Sequence, residues 1–155
     1  MILVVGGAGY IGSHMLKLLR DQQEPHVVFD SLENGHRTAL QSSLFVQGDL
    51  RNPDDLKRAF DAYPEIDLVM HFAAYISVGE SVREPGKYYN NNTAGVLNLL
   101  EEMKSRGIGK FVFSSTAAVF GNPQYVPLDE VHPKGPLNPY GHSKLMVEQM
   151  LDDYD

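Results

Sequence analysis

Five apolar residues, "MILVV" (1–5), run directly into a turn punctuated by Gly6, Gly9 and Gly12, and an amphipathic stretch follows at once. This junction limits the fold more than any other feature of the chain. A β-branched run with no polar alternation reads as a strand buried on both faces, and Ile11, Met15, Leu18 and Leu19 recur at helical spacing within 10–20. In the G-x-x-G-x-x-G spacing each glycine has its own use. Gly6 permits the sharp turn, Gly9 lets a pyrophosphate approach the backbone, and Gly12 lets the helix pack close to the strand. An ordinary tight turn is the alternative, and the context of strand, turn, helix and second strand favours dinucleotide binding.

A second strand, "PHVVFD" (25–30), ends on Asp30, 18 residues beyond Gly12. A carboxylate there accepts hydrogen bonds from both hydroxyls of an adenosine ribose and repels a 2′-phosphate, so NAD is favoured over NADP. His36 and Arg37 lie close enough in sequence to keep the phosphorylated cofactor in view, and a plain turn role for Asp30 is the alternative. Asp49, closing a third strand (44–49), can approach an adenine amino group or cap a turn.

The same alternation continues. A helix capped by Asn52 with Pro53 at its first position covers 52–63, a fourth strand 67–74, a long helix about 85–106 ended by Gly107, and a fifth strand 110–115. A Pro-rich loop (122–139) leads to a last helix capped by Asn138. Apolar strands alternating with helices specify an α/β, doubly wound (Rossmann) parallel sheet with helices on both faces, one domain over 1–155. The chain stops on a helix where such a sheet adds a sixth strand, so it reads as truncated.

Composition removes other classes. With 43% hydrophobic and 21% charged residues the chain is globular, and a net charge of −7 with scattered Lys and Arg offers no field for nucleic acid. The absence of cysteine excludes disulfides and thiolate metal sites, and six histidines without paired ligand spacing give no reason to assign a metal. The opening apolar run is too short for a signal peptide or a membrane span, which points to the cytoplasm.

"NPYGHSK" (138–144) carries the second chemical signal. Tyr140 and Lys144 are one helical turn apart and share a face. A phenol in water titrates about three units above neutrality, and an ammonium, a helix N-terminus and an oxidised nicotinamide ring each favour the phenolate. The spacing also occurs in ordinary surface pairs.

Taken together, "GGAGYIGSH", "DSLENGHR", "GDLRN", "HFAA", "VGES", "YYNNN", "FSSTAAVFG" and "NPYGHSKLMVEQ" resemble the extended short-chain dehydrogenase/reductase family over essentially the whole chain. The resemblance implies interconversion of UDP-glucose and UDP-galactose by transient NAD-dependent oxidation at sugar carbon 4, an epimerisation of a nucleotide sugar. It implies that Tyr140 is the acid/base, Lys144 its tuning partner and Thr116 the hydroxyl that shares the proton. It assigns to the cofactor Gly6, Gly9, Tyr10, Ile11 and Gly12; Asp30, Ser31, Leu32, Glu33, Asn34 and Gly35; Asp49 and Leu50; Phe72, Ala73, Ala74, Tyr75 and Ile76; Asn91; and Thr116, Tyr140 and Lys144. Some members carry lysine at Ile76 and serine at Thr116. A 4,6-dehydratase would place an Asp-Glu pair where Ala117 and Ala118 stand, and a silent NAD-binding module would have no use for Thr116, Tyr140 and Lys144 together. The implied partners are a UDP-sugar and a second copy, paired through a helix bundle; the resemblance also implies a C-terminal substrate domain absent from this chain, so the piece alone is expected to be poorly active or inactive.

Overall fold

The computed structural model describes residues 1–41 and 43–155. Five strands, β1 (Ile2–Val5), β2 (His26–Asp30), β3 (Leu44–Gln47), β4 (Leu68–His71) and β5 (Phe111–Phe113), form one sheet in the order β3-β2-β1-β4-β5. All neighbours are parallel; Val5 lies opposite Phe29 on one side and His71 on the other. Sequence order reverses on either side of β1, so the sheet is doubly wound, the fold class expected of the alternating pattern.

Helices α1 (Tyr10–Asp21), α2 (Pro53–Ala62), α3 (Val78–Arg83), α4 (Pro85–Tyr88), α5 (Gly95–Ser105) and α6 (Pro139–Tyr154) connect or follow the strands. By contacts the chain divides into two compact units. Unit 1 comprises Met1–Ala74 and Asn98–Ser114, with the whole sheet. Its core includes Val4, Ala8, Leu16, Leu19, Val28 and Leu40, against which Ile2, Met15, Leu32, Phe45 and Phe72 pack. Unit 2 comprises Tyr75–Leu97 and Ser115–Asp155 and holds α3, α4, α6 and the start of α5.

Caps fall where the sequence placed them. The Asn52 side chain accepts from Asp54 N–H and the Asn138 side chain from Gly141 N–H, each with proline at the first helical position. α5 ends in paired bonds, Gly107 N–H to Lys104 O and Ile108 N–H to Met103 O, which satisfy carbonyls the helix leaves open.

Three expectations need adjustment. β4 and β5 are shorter than read, β4 pairing with the four-residue β1 and β5 with β4; Phe72 and Ser114 N–H still bond to Val5 O and His71 O. The long helix from Pro85 is helical throughout, but Tyr89–Ala94 is a π-helical turn between α4 and α5. Short helical turns at Arg37–Leu40 and Ala117–Phe120 carry no pattern long enough to be read from sequence.

Candidate active site

In unit 1 the glycine turn is built as its spacing implied. Gly6 has φ +80°, and a Cβ there would stand 2.5 Å from Ala73 N. A Cβ on Gly12 would meet Gly6 O at 2.2 Å, so the helix packs on the turn only because position 12 is bare. Gly9 differs, because a Cβ there would find only Gly6 O, at 3.4 Å, and its outer side is open. Gly9 begins α1 with no side-chain cap, no acidic residue occupies the first turn, and Tyr10 and Ile11 are exposed. The positive end of the helix is therefore available to an anion.

Asp30 is tied to this turn. Its Oδ2 accepts from Ala8 N–H at 2.9 Å and its Oδ1 from Leu32 N–H at 2.8 Å. Each oxygen keeps a lone pair, enough for the two hydroxyls of a ribose. The segment that follows, Ser31, Leu32, Glu33, Asn34 and Gly35, folds back on the turn: His36 N–H donates to Ala8 O at 3.1 Å, and a Cβ on Gly35 would strike Ala8 Cβ at 2.6 Å. Ser31 Oγ accepts from Glu33 N–H.

Asp49 performs the turn role left open for it. Its Oδ1 accepts from Arg51 N–H at 2.8 Å, and the Arg51 guanidinium grips both its oxygens while reaching Glu33 at 3.1 Å. The Arg51 hydrogen bonds hold the Asp49 carboxyl below its ordinary range, outweighing partial burial. Leu50 is buried and its carbonyl accepts from Asn98 Nδ2. Arg37 lies over the Phe45 ring, 5.4 Å from its centroid. Phe72, Ala73 and Ala74 continue from β4, Ala73 against Gly6.

Unit 2 gathers the remaining candidates: Tyr75, Ile76, Asn91, Thr116, Tyr140 and Lys144. Pro139 and the Asn138 cap start α6 so that Tyr140 lies in its first turn. A Cβ on Gly141 would stand 2.8 Å from Ala118 O, so this turn packs on the short turn of Ala117–Phe120. Thr116 caps that short turn, its Oγ1 accepting from Ala118 N–H at 3.2 Å. The Tyr140 ring meets Tyr88 edge-on, with centroids 6.5 Å apart. Tyr88 is itself fixed, its hydroxyl donating to Ser77 O or Glu80, each 2.7 Å away.

Lys144 is 3% exposed. Burial lowers its pKa from 10.5 to about 8, with the Glu148 carboxylate acting in the opposite direction. A surface pair would not bury its ammonium, so that reading of Tyr140 and Lys144 is set aside. Ile76 is exposed and has no head group to offer.

Asparagine 92, rather than its neighbour, is the residue sequence reasoning missed. Its Oδ1 accepts from Tyr75 N–H at 2.9 Å and its Nδ2 donates to Tyr75 O at 3.0 Å and Ser143 Oγ at 3.2 Å. Ser143 Oγ in turn donates to Tyr140 O at 2.7 Å, and Thr93 Oγ1 donates to Ser143 O. Asn91 donates from Nδ2 to Asn92 Oδ1 at 2.9 Å, which leaves its own carbonyl oxygen out of that bond. "NNN" alone does not distinguish the three amides; the π turn that aims Asn92 inward does.

Residues 2–155 match the model of the NAD dependent epimerase/dehydratase family. The chain is 50% identical over 152 residues to a UDP-glucose 4-epimerase of Streptococcus mutans, covering 97% of this chain and 46% of that protein. A UDP-glucose 4-epimerase of Brucella ovis, solved in complex with NAD, superposes with a TM-score of 0.95 at 44% identity, over 99% of this chain and 47% of that one. A UDP-Glc/GlcNAc 4-epimerase from Campylobacter jejuni gives 0.94 at 42% identity, over 99% and 48%. The chain thus spans about half the length of the curated relatives it matches. Because that family model covers residues 2–155, nearly the whole sequence, the chain belongs to the NAD dependent epimerase/dehydratase family.

Proposed function

We propose that this chain is the NAD-binding, proton-transferring part of an enzyme that interconverts UDP-glucose and UDP-galactose, and that a further half supplies most of the sugar and uridine contacts. The observation that carries the chemistry is the buried Lys144, one turn after Tyr140 at the head of α6. An ammonium is taken out of water there at a real cost, and proton transfer at a neighbouring phenol is the use that explains it.

The residues of unit 1 fit NAD. The bare, uncapped start of α1 suits a pyrophosphate, and the free lone pairs of Asp30 suit a ribose diol and disfavour a 2′-phosphate. Asn34, Leu50 and the Phe72–Ile76 stretch complete the cofactor set this reading assigns. NAD, when bound, supplies the reversible hydride acceptor for sugar carbon 4. The protein residues handle the proton: Tyr140 takes it from the sugar hydroxyl and returns it, Thr116 shares it through its hydroxyl, and Lys144 keeps positive charge beside the phenol. The amide oxygen of Asn91 is free to meet the cofactor or its water shell.

Ala117 and Ala118, at the start of the short turn capped by Thr116, carry no carboxylate for eliminating water, which disfavours a 4,6-dehydratase. The experiment adds UDP-glucose to the NAD-loaded protein containing this chain and its further half, and follows absorbance in the reduced-nicotinamide band and the sugar product. A rise with formation of the carbon-4 epimer is expected, with turnover reduced at least about a hundredfold by Tyr140→Phe. Tight NAD binding with no spectral change and no product would show a silent module instead.

A further inference from the structure

Helix α6 sets Tyr140, Lys144 and Glu148 at four-residue intervals, so the three side chains follow one another along one face. Glu148 is not loose. Ser115, just after β5, donates its hydroxyl to Oε1, and Lys134 from the preceding loop donates to Oε2 at 2.6 Å. Burial resists ionisation of Glu148, but the bonds from Lys134 and Ser115 prevail and hold its pKa below the ordinary value.

The elements packed on α6 bring further ionisable groups. α3 brings Glu80 and Arg83, and α4 brings Lys87 and Tyr88. Glu80 accepts from Lys87 Nζ and from the Tyr88 hydroxyl, each at 2.7 Å, and the Lys87 ammonium lies over the Tyr75 ring. The π turn offers Tyr89, and the short turn of Ala117–Phe120 has no ionisable side chain. Glu148 is the charge that works against burial at Lys144.

We propose that Glu148 is a positioning residue of the proton-transfer site: fixed by Ser115 and Lys134, its carboxylate is the counter-charge that holds the buried Lys144 head as an ammonium. Lys134 tempers it, since a second cation on the same carboxylate competes with Lys144. The geometry thus extends the Tyr140–Lys144 pair by one more turn, to a residue held by Ser115 and Lys134. The catalytic meaning depends on the function proposed above; the charge relationship does not.

Titration of isotope-labelled lysine side chains by NMR tests it, with the Lys144 signal assigned by its loss in Lys144→Met. In Glu148→Gln, nearly isosteric, the Lys144 midpoint is expected to fall by about one pH unit, a tenfold loss of proton affinity, and Glu148→Asp to recover part of it. Lys134→Met, at a half-exposed position that does not threaten folding, is expected to move the midpoint upward. An unchanged midpoint in folded Glu148→Gln, or in Lys134→Met should the first variant not fold, would overturn the proposal. Midpoints that move as expected in a protein that produces no reduced nicotinamide with UDP-glucose would uphold the counter-charge and overturn only the catalytic reading.

Discussion

Lys144 holds a charge that its surroundings resist, and this has a measurable sign. Its folded pKa, about 8, lies below the roughly 10.4 of a lysine in the unfolded chain. Below pH 8 both states carry the proton and the folded state bears the whole desolvation penalty; between pH 8 and about 10.4 the unfolded state binds more protons, so stability rises with pH. The gap corresponds to about 3 kcal/mol. In cofactor-free protein, urea unfolding of wild type and Lys144→Met is expected to show the advantage of the variant shrinking by about that amount from pH 7 to pH 10.5. A constant difference would mean that Lys144 is not desolvated as described. Spacing in the sequence pointed to Asp30, Tyr140 and Lys144, but for the last two it is shared with ordinary surface pairs, and the resemblance of the surrounding motifs set them apart. Burial of Lys144, the engagement of Asp49 by Arg51 and the anchoring of Glu148 depend on side-chain placement in three dimensions, which no local pattern reveals.

Among the elements, the π turn of Tyr89–Ala94 has the largest effect on the site. A regular helix would advance its side chains by 100° per residue and turn the amides differently; the wider turn directs Asn92 at Tyr75 and Ser143. Asn92 is 2% exposed, and its amide takes the place of a strand partner for the Tyr75 backbone. Asn92→Ala would remove the bonds its amide makes to Tyr75 N–H and C=O and the one it donates to the Ser143 hydroxyl. A loss of about 2–4 kcal/mol in urea unfolding is expected, against less than about 1 kcal/mol for Asn90→Ala on the exposed side. Helix starts at Asn52 and Asn138 and the stop at Gly107 were legible, since caps are local chemistry. The strand ends and the π turn were not, because ladder length is set by the neighbouring strand and the extra residue in the turn serves a contact made with another helix.

At the scale of the whole molecule, the order β3-β2-β1-β4-β5 follows from apolar strands joined by helices, and the glycine turn after β1 lies at the point where that order reverses. Among the described residues no helix is long and apolar enough to cross a membrane. Leu97 on α5 and Met146 on α6 leave apolar surface in water, at 39% and 41% exposure. The proposed homodimer, pairing α5 and α6 of two copies, would cover them. Sedimentation is expected to give a dimer that Leu97→Glu with Met146→Glu converts to monomer; a wild-type monomer at micromolar concentration would end that idea.

Unit 2 is made of two stretches, Tyr75–Leu97 and Ser115–Asp155, parted in the chain by a length that belongs to the sheet. As the polypeptide leaves the ribosome, Asn92 emerges well before Ser143 exists to receive its amide. The first stretch must therefore wait until the last helix has been synthesised, and the strands of the sheet have every opportunity to pair before then.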